Sequence, residues 1–143
     1  MPQRGYNLDI ELLLADGAAP VAADGVSQVA SAAVFDELGP GRFEGVLIID
    51  VSAIKTSAAD ELYHLCLQGS ADNTFASKEN VAQITLGAGA VRPGGALTSV
   101  IGRYEIPFTT DQHDTIYRFT RLFVDVNGTS PSITFKAWIA ERY

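Results

Sequence analysis

"TIYRFTRLFVDVNGTSPSITFKAWIA", Thr115 to Ala140, sets two extended segments on either side of a short polar turn. In the first, Phe119 and Phe123 fall on one side of a period-two pattern, and Leu122, Val124 and Val126 fall on the other. The second, Ser132 to Ala140, carries Ile133, Thr134, Phe135, Trp138 and Ile139. Side chains that are β-branched or aromatic suit a pleated surface better than a helix, where they lose χ1 freedom. The connection "NGTSP" (127–131) is short and suits a hairpin with a loop longer than two residues. The stretch therefore predicts two strands, paired with each other.

The same period runs through the rest of the chain. In "YNLDIELLL" the residues Leu8, Ile10, Leu12 and Leu14 alternate with Asn7, Asp9, Glu11 and Leu13. "FEGVLIIDV" (43–51), "ELYHLCLQG" (61–69), "NVAQITLG" (80–87) and "IGRYEIPF" (101–108) read as further strands, and "SAAVFDEL" (31–38) as a short one before the turn "GPG". The small-residue tract Ala18 to Ala33 reads as irregular, and "SAIKTSAADE" (52–61) as a loop with room for one helical turn. About eight strands without interleaved helices predict an antiparallel sandwich or barrel. Connections of unequal length favour a jelly-roll-like antiparallel β-sandwich over an up-and-down barrel.

At 143 residues the chain fits one domain. Residues 1–14 are expected as an extended N-terminal arm or first strand, and 15–143 as a single sandwich. Segments 43–51 and 119–126 are apolar on both faces, whereas a free-standing sandwich strand shows one apolar and one polar face. Loops and the arm, or another subunit, must then cover the outer side.

Ten Lys and Arg against seventeen Asp and Glu give a net charge of −7. That balance, with basic residues scattered and forming no run, argues against duplex nucleic acid and anionic membranes, which rely on clustered cations, so neither is expected as a partner. A single cysteine, Cys66, forms no intramolecular disulfide. The N-terminus loosely resembles a signal peptide, but Asp9, Glu11 and Asp16 interrupt its apolar run. No segment has the apolar length of a spanning helix, and a soluble protein made in the cytosol is expected.

Motifs that suggest chemistry are incomplete. "TLGAGAVRPGGALTSVIG" (85–102) has the glycines of a phosphate loop but no lysine and no following helix, and arginine stands where the third Rossmann glycine would be. It is expected as a long loop between strands, from which Arg92 can reach a partner. His64 and Cys66 share one strand face, as two metal ligands would, but lack partners in the sequence. Asp111, His113 and Asp114 share one turn and are read as solvated; "SADNTF" (70–75) lacks EF-hand spacing. Asn127-Gly128-Thr129 matches a glycosylation sequon on a turn where Asn-Gly is favoured by geometry alone. Trp138, Tyr104 and Tyr117, if exposed together, would make a sugar-stacking platform, although core or interface packing is the expectation. No catalytic residue, metal or cofactor is expected.

Three segments in order, "ELYHLCLQGSADNTF" (61–75), "YEIPF" (104–108) and "IYRFTRLFVDVNGTSPSITFKAWI" (116–139), resemble the capsid cement, or decoration, proteins of tailed bacteriophages, of the Bordetella-podophage type. The matching features are "LQGS" at Leu67–Ser70 with Asp72 after it, the aromatic–arginine strand Tyr117 to Leu122, and "GTSPSITF" at Gly128–Phe135. The resemblance implies a non-enzymatic jelly roll that binds the outside of a phage head and clamps adjacent capsomers of the major capsid protein. It implies a homodimer on two-fold axes, with a trimer as the alternative, located on the capsid exterior. Arg4, Tyr6 and Leu8 of the arm and Arg92 are then candidate capsid contacts. Leu122, Val124 and Trp138 are candidate oligomer contacts. The alternatives are a carbohydrate-binding sandwich or virion adhesin, and a metal-dependent cupin-like enzyme built around His64.

Overall fold

The computed structural model describes residues 12–95, 97–112 and 114–141. Among these, thirteen extended segments follow one another: β1 (Leu13–Asp16), β2 (Gly25–Val26), β3 (Gln28–Val29), β4 (Ala32–Ala33), β5 (Asp36–Glu37), β6 (Glu44–Ile54), β7 (Leu62–Ser70), β8 (Glu79–Gly87), β9 (Gly102–Thr109), β10 (Asp111–Gln112), β11 (Thr115–Ile116), β12 (Phe119–Asn127) and β13 (Ile133–Glu141). A 3₁₀ turn, Pro93–Gly95, interrupts the β8–β9 loop. Two antiparallel sheets carry the fold, one ordered β1-β13-β6-β9 and the other β2-β12-β7-β8, with β5 also on β12. The pairings nest: β7 with β8, β6 with β9 around them, then β2 with β12, and β1 with β13. A long hairpin rolled upon itself gives this order, the jelly-roll-like sandwich expected from strands joined by connections of unequal length.

Alternation along each strand fills the space between the sheets. Leu47, Ile49 and Val51 of β6 and Phe135, Ala137 and Ile139 of β13 meet Tyr63, Leu65 and Leu67 of β7 and Leu122 and Val124 of β12. On the β13–β6 ladder Thr134 pairs with Ala53 and Phe135 with Val51, so β6 carries one extra residue, Ser52, which resets its alternation and turns Ile54 inward opposite Ile133. A second, smaller cluster lies on the other face of the first sheet: Val46, Ile48, Trp138 and Ala140, with Leu13 against them. The apolar residues of segment 43–51 are therefore covered on both faces within the single chain.

Several expectations need correction. The strands on either side of "NGTSP" do not pair: β12 lies in the second sheet and β13 in the first, so residues 128–132 cross between sheets. Asp60 holds that crossing, with its Oδ2 accepting hydrogen bonds from the Thr129 hydroxyl and, at 3.1 Å, from the Thr129 N–H. The fully buried Tyr63 holds it too. Its hydroxyl donates to the Lys55 carbonyl (2.7 Å) and accepts from the Ser132 N–H (2.9 Å).

Segment 115–126 is not one strand, because the chain breaks between β11 and β12. The tract 18–33 is not wholly irregular: β2 within it pairs with Phe123 and Val124, and β3 pairs with β4. "SAAVFDEL" is split into β4 and β5, and "SAIKTSAADE" begins as the end of β6. The expected boundary at residue 14 falls inside β1.

Candidate functional site: an interaction surface

The residues singled out for partner contact are scattered by the fold. Leu122 and Val124, expected at an oligomer contact, are fully buried between the sheets and present nothing at the surface. Trp138 is also buried, on the outer side of the first sheet, with the Arg103 guanidinium 5.2 Å above its ring. The sugar platform does not form: Tyr117 belongs to the main core, Tyr104 packs against it, and Trp138 sits in the second cluster. Arg4, Tyr6 and Leu8 of the expected arm lie outside the described residues.

Arg92 folds back onto its own loop and the end of β8. Its guanidinium donates to the Leu97 carbonyl and, at 3.2 Å, to the Thr85 carbonyl. It is a brace rather than an extended contact. The root of the loop is closed by the buried Ser99, whose N–H donates to the Gly87 carbonyl (2.9 Å) and whose Oγ accepts from the Gly87 N–H (3.0 Å). Thr98 Oγ1 accepts from the Gly89 N–H at 2.9 Å. Gly87 is required where it stands: its φ is +146°, and a Cβ there would collide with the Glu61 carbonyl oxygen.

Above this tied root the loop displays its apolar residues. Leu97 is 86% exposed, Val100 69%, Ile101 61% and Val91 40%. Scattered exposed apolar residues are ordinary, and four of them in one braced loop make this loop the candidate interaction surface. Sequence reasoning found the loop from its glycines and missed these residues, because exposure of a leucine is not legible from its neighbours.

A second feature lies on the outer face of the second sheet. Phe35, 46% exposed, sets its ring edge-on to Phe75 (6.1 Å) and Phe119 (5.8 Å). Arg121 lies 4.4 Å over Phe75 and donates to Gln68 Oε1, while Arg118 pairs with Glu37 beside Phe119. Further along this face His64 Nδ1 is 2.9 Å from Thr85 Oγ1. Burial, reinforced by nearby Asp125, pushes the Cys66 thiol up from its ordinary range. No group of three or more metal-ligating side chains occurs among the described residues. In the turn expected as solvated, Asp111 and Asp114 are exposed, and His113 lies outside the described residues.

The "LQGS" motif has structural roles. A Cβ on Gly69 would meet Tyr117 at 2.8 Å, so the glycine makes room for that ring. Ser70 Oγ donates to the Ser77 carbonyl. Asp72 closes the following turn by accepting from Thr74, and those bonds hold its carboxyl below the usual range. A cleft of about 320 Å³ beside β1 and β2 is lined by residues between Ala15 and Ser31 together with Val124 and Phe135. Its Asp16 already accepts from the N–H groups of Ala18 and Ala30.

No protein-family model matches the chain, and no curated protein does. Among solved structures it is similar to the N-terminal CBM22-1–GH10 modules of Clostridium thermocellum endo-1,4-β-D-xylanase 10B complexed with xylohexaose. The TM-score is 0.39 and the sequence identity 10%, over 95% of this chain and 27% of the other. The chain thus spans about a quarter of that chain's length. A likeness at this level bears on neither partner nor activity.

Proposed function

We propose that this chain is a non-enzymatic capsid cement protein, which binds the outer surface of a phage head and clamps adjacent capsomers of the major capsid protein. The observation that carries this reading is the β8–β9 loop, tied at its root by Ser99 and Arg92 while exposing Val91, Leu97, Val100 and Ile101. A braced loop orders little further on binding, so less of its apolar burial is offset by lost entropy. The jelly roll and the "LQGS" and "GTSPSITF" segments agree with the family that the sequence resembles. Binding the assembled shell in preference to free subunits stabilises the shell by mass action, and many symmetric copies add avidity. The self-contact in this reading is a homodimer, with a trimer as the alternative.

Co-sedimentation of the full chain with purified phage heads tests the assignment. Saturable pelleting with heads is expected, and deletion of residues 2–8 should weaken it while leaving the circular-dichroism spectrum unchanged. A full chain that stays in the supernatant at all head concentrations overturns the reading. A second reading, a glycan-binding sandwich, draws on the exposed Phe35 ring beside Arg118 and Arg121. It requires binding on a broad glycan panel that is lost in Phe35→Ala; a negative panel removes it.

A further inference from the structure

The two long outer strands on one side of the sandwich, β8 and β9, are finished differently. On β8 the ladder to β7 continues into the bond from the Ala88 N–H to the Glu61 carbonyl, so Thr85 and Gly87 turn their backbone groups outward. This protein's own groups occupy that edge. Arg92 donates to the Thr85 carbonyl, Ser99 bonds both backbone groups of Gly87, and Gln112 Nε2 reaches the Val81 carbonyl at 3.4 Å. A register shift between Leu67 and Gln68 on the β7–β8 ladder disrupts the edge further.

On β9 the ladder to β6 continues into the bond from the Thr110 N–H to the Phe43 carbonyl. Residues of even number therefore face β6, and Arg103, Glu105 and Pro107 turn their backbone groups to the free edge. Pro107 loses no ladder bond there, which is where an edge strand tolerates proline. Among the described residues, no side chain or backbone group from another segment bonds to the backbone of Arg103 or Glu105. Backbone groups left bare on an edge are a template for a further strand, and the charges of Arg103 and Glu105 together with Pro107 restrict which strand can pair there.

The side chains choose the register. Arg103 and Glu105 are exposed on the outer face of the first sheet, and Asp50 holds Arg103 through a two-pronged ion pair at 2.8 and 3.0 Å. In an antiparallel self-pairing centred on Tyr104, Arg103 of each copy stands opposite Glu105 of the other, on the same face. Both backbone bonds of each such pair are available. Centring on Arg103 or on Glu105 instead places like charges opposite each other, which is unfavourable.

We infer that a second copy of this chain docks on β9, edge to edge and antiparallel about a two-fold axis at Tyr104, joining the two β1-β13-β6-β9 sheets into one. The inference gives a surface to the self-contact in the capsid reading, but it is measured on the isolated protein, so the two stand or fall separately. Sedimentation equilibrium of the full chain is expected to show a monomer–dimer equilibrium. Glu105→Lys and Arg103→Glu should each weaken the dimer about tenfold, because each sets like charges opposite one another twice. An equimolar mixture of the two variants should restore association. In the mixed dimer the introduced lysine of one copy meets the introduced glutamate of the other, and the remaining pair is native.

Tyr104→Cys places two thiols on the axis, at the closer non-hydrogen-bonded spacing that a disulfide spans. It should give a cross-linked dimer on mild oxidation, whereas Gln83→Cys on β8 should not. A wild-type chain that remains monomeric overturns the inference, as does a dimer indifferent to both charge reversals. Equal cross-linking from position 83 also overturns it. If Arg103→Glu does not fold, the pair of cysteine variants decides.

Discussion

Replacing Leu97 and Val100 together with serine isolates the shell-contact surface from everything else in the molecule. Both side chains stand in solvent, at 86% and 69% exposure, and neither belongs to either apolar cluster. Full burial of a leucine or valine side chain is worth roughly 1.5–3 kcal/mol. Scaled by the fraction still exposed, full burial of the pair on docking is worth about 2 to 5 kcal/mol per copy, and burial of half that surface shifts Kd by roughly one to two decades. The loop itself should survive, because Arg92 bonds the backbone carbonyl of Leu97 and Ser99 bonds Gly87, and neither contact uses the substituted side chains. The assay is co-sedimentation of labelled protein with purified heads, titrated to saturation, beside a thermal melt of each variant. The expected result is a binding curve displaced by one to two decades with an unchanged melting temperature. A double variant that binds heads like the wild type refutes the reasoning that this loop is the contact.

Tyr63→Phe removes the hydroxyl joining Lys55 and Ser132, leaving the Ser132 N–H without its acceptor. A loss of about 2 kcal/mol is expected from guanidinium unfolding, with the m-value unchanged. Gly87→Ala drives a Cβ against the Glu61 carbonyl oxygen at a φ that L-residues avoid. It should cost about 3 kcal/mol and loosen the loop root, read as faster amide exchange at Ser99. Acid should destabilise the protein through Asp60, Asp16 and Asp72, whose carboxyls are held below their ordinary pKa by donors from Thr129, from Ala30 and Ala18, and from Thr74. Their folded values lie below the unfolded ones, so the contribution is complete above the unfolded pKa of about 4 and is lost as pH falls through the folded values. Stability measured across pH 7 to 2 should be level at first and then drop below about pH 4. Asp60→Asn should reduce the drop, and an undiminished drop in that variant contradicts the assignment.

Much of this was legible in residue patterns. The strands β6, β7, β8, β9 and β13 fall within a few residues of the segments that period-two alternation marks, because alternation is local and each residue reports its own face. The opposed faces of Phe123 and Val124 were legible for the same reason. Partnership was not. "NGTSP" reads as a hairpin, yet Asp60 and Tyr63 hold those residues as a crossing between sheets, and both lie more than sixty positions away. The small-residue tract around β2 carries no local mark of a strand. Its Gly25–Val26 pair is recruited only because β12 offers it an edge.

The candidate surface divides the same way. The glycines of 87–102 announced a loop, and the absent lysine removed the nucleotide. That Arg92 folds inward while Leu97 and Val100 face out depends on Thr85 and Ser99 being brought to the same place.

By itself, the sequence determined the all-β class, the places of most long strands and which side chains share a face, since these follow from steric preference and a period of two. Tertiary structure alone decided which strands are neighbours, that Leu122, Val124 and Trp138 are interior, and that one edge is covered while the other stands bare. Those properties depend on which distant backbone groups meet, and residues far apart in the chain carry no local mark of their meeting.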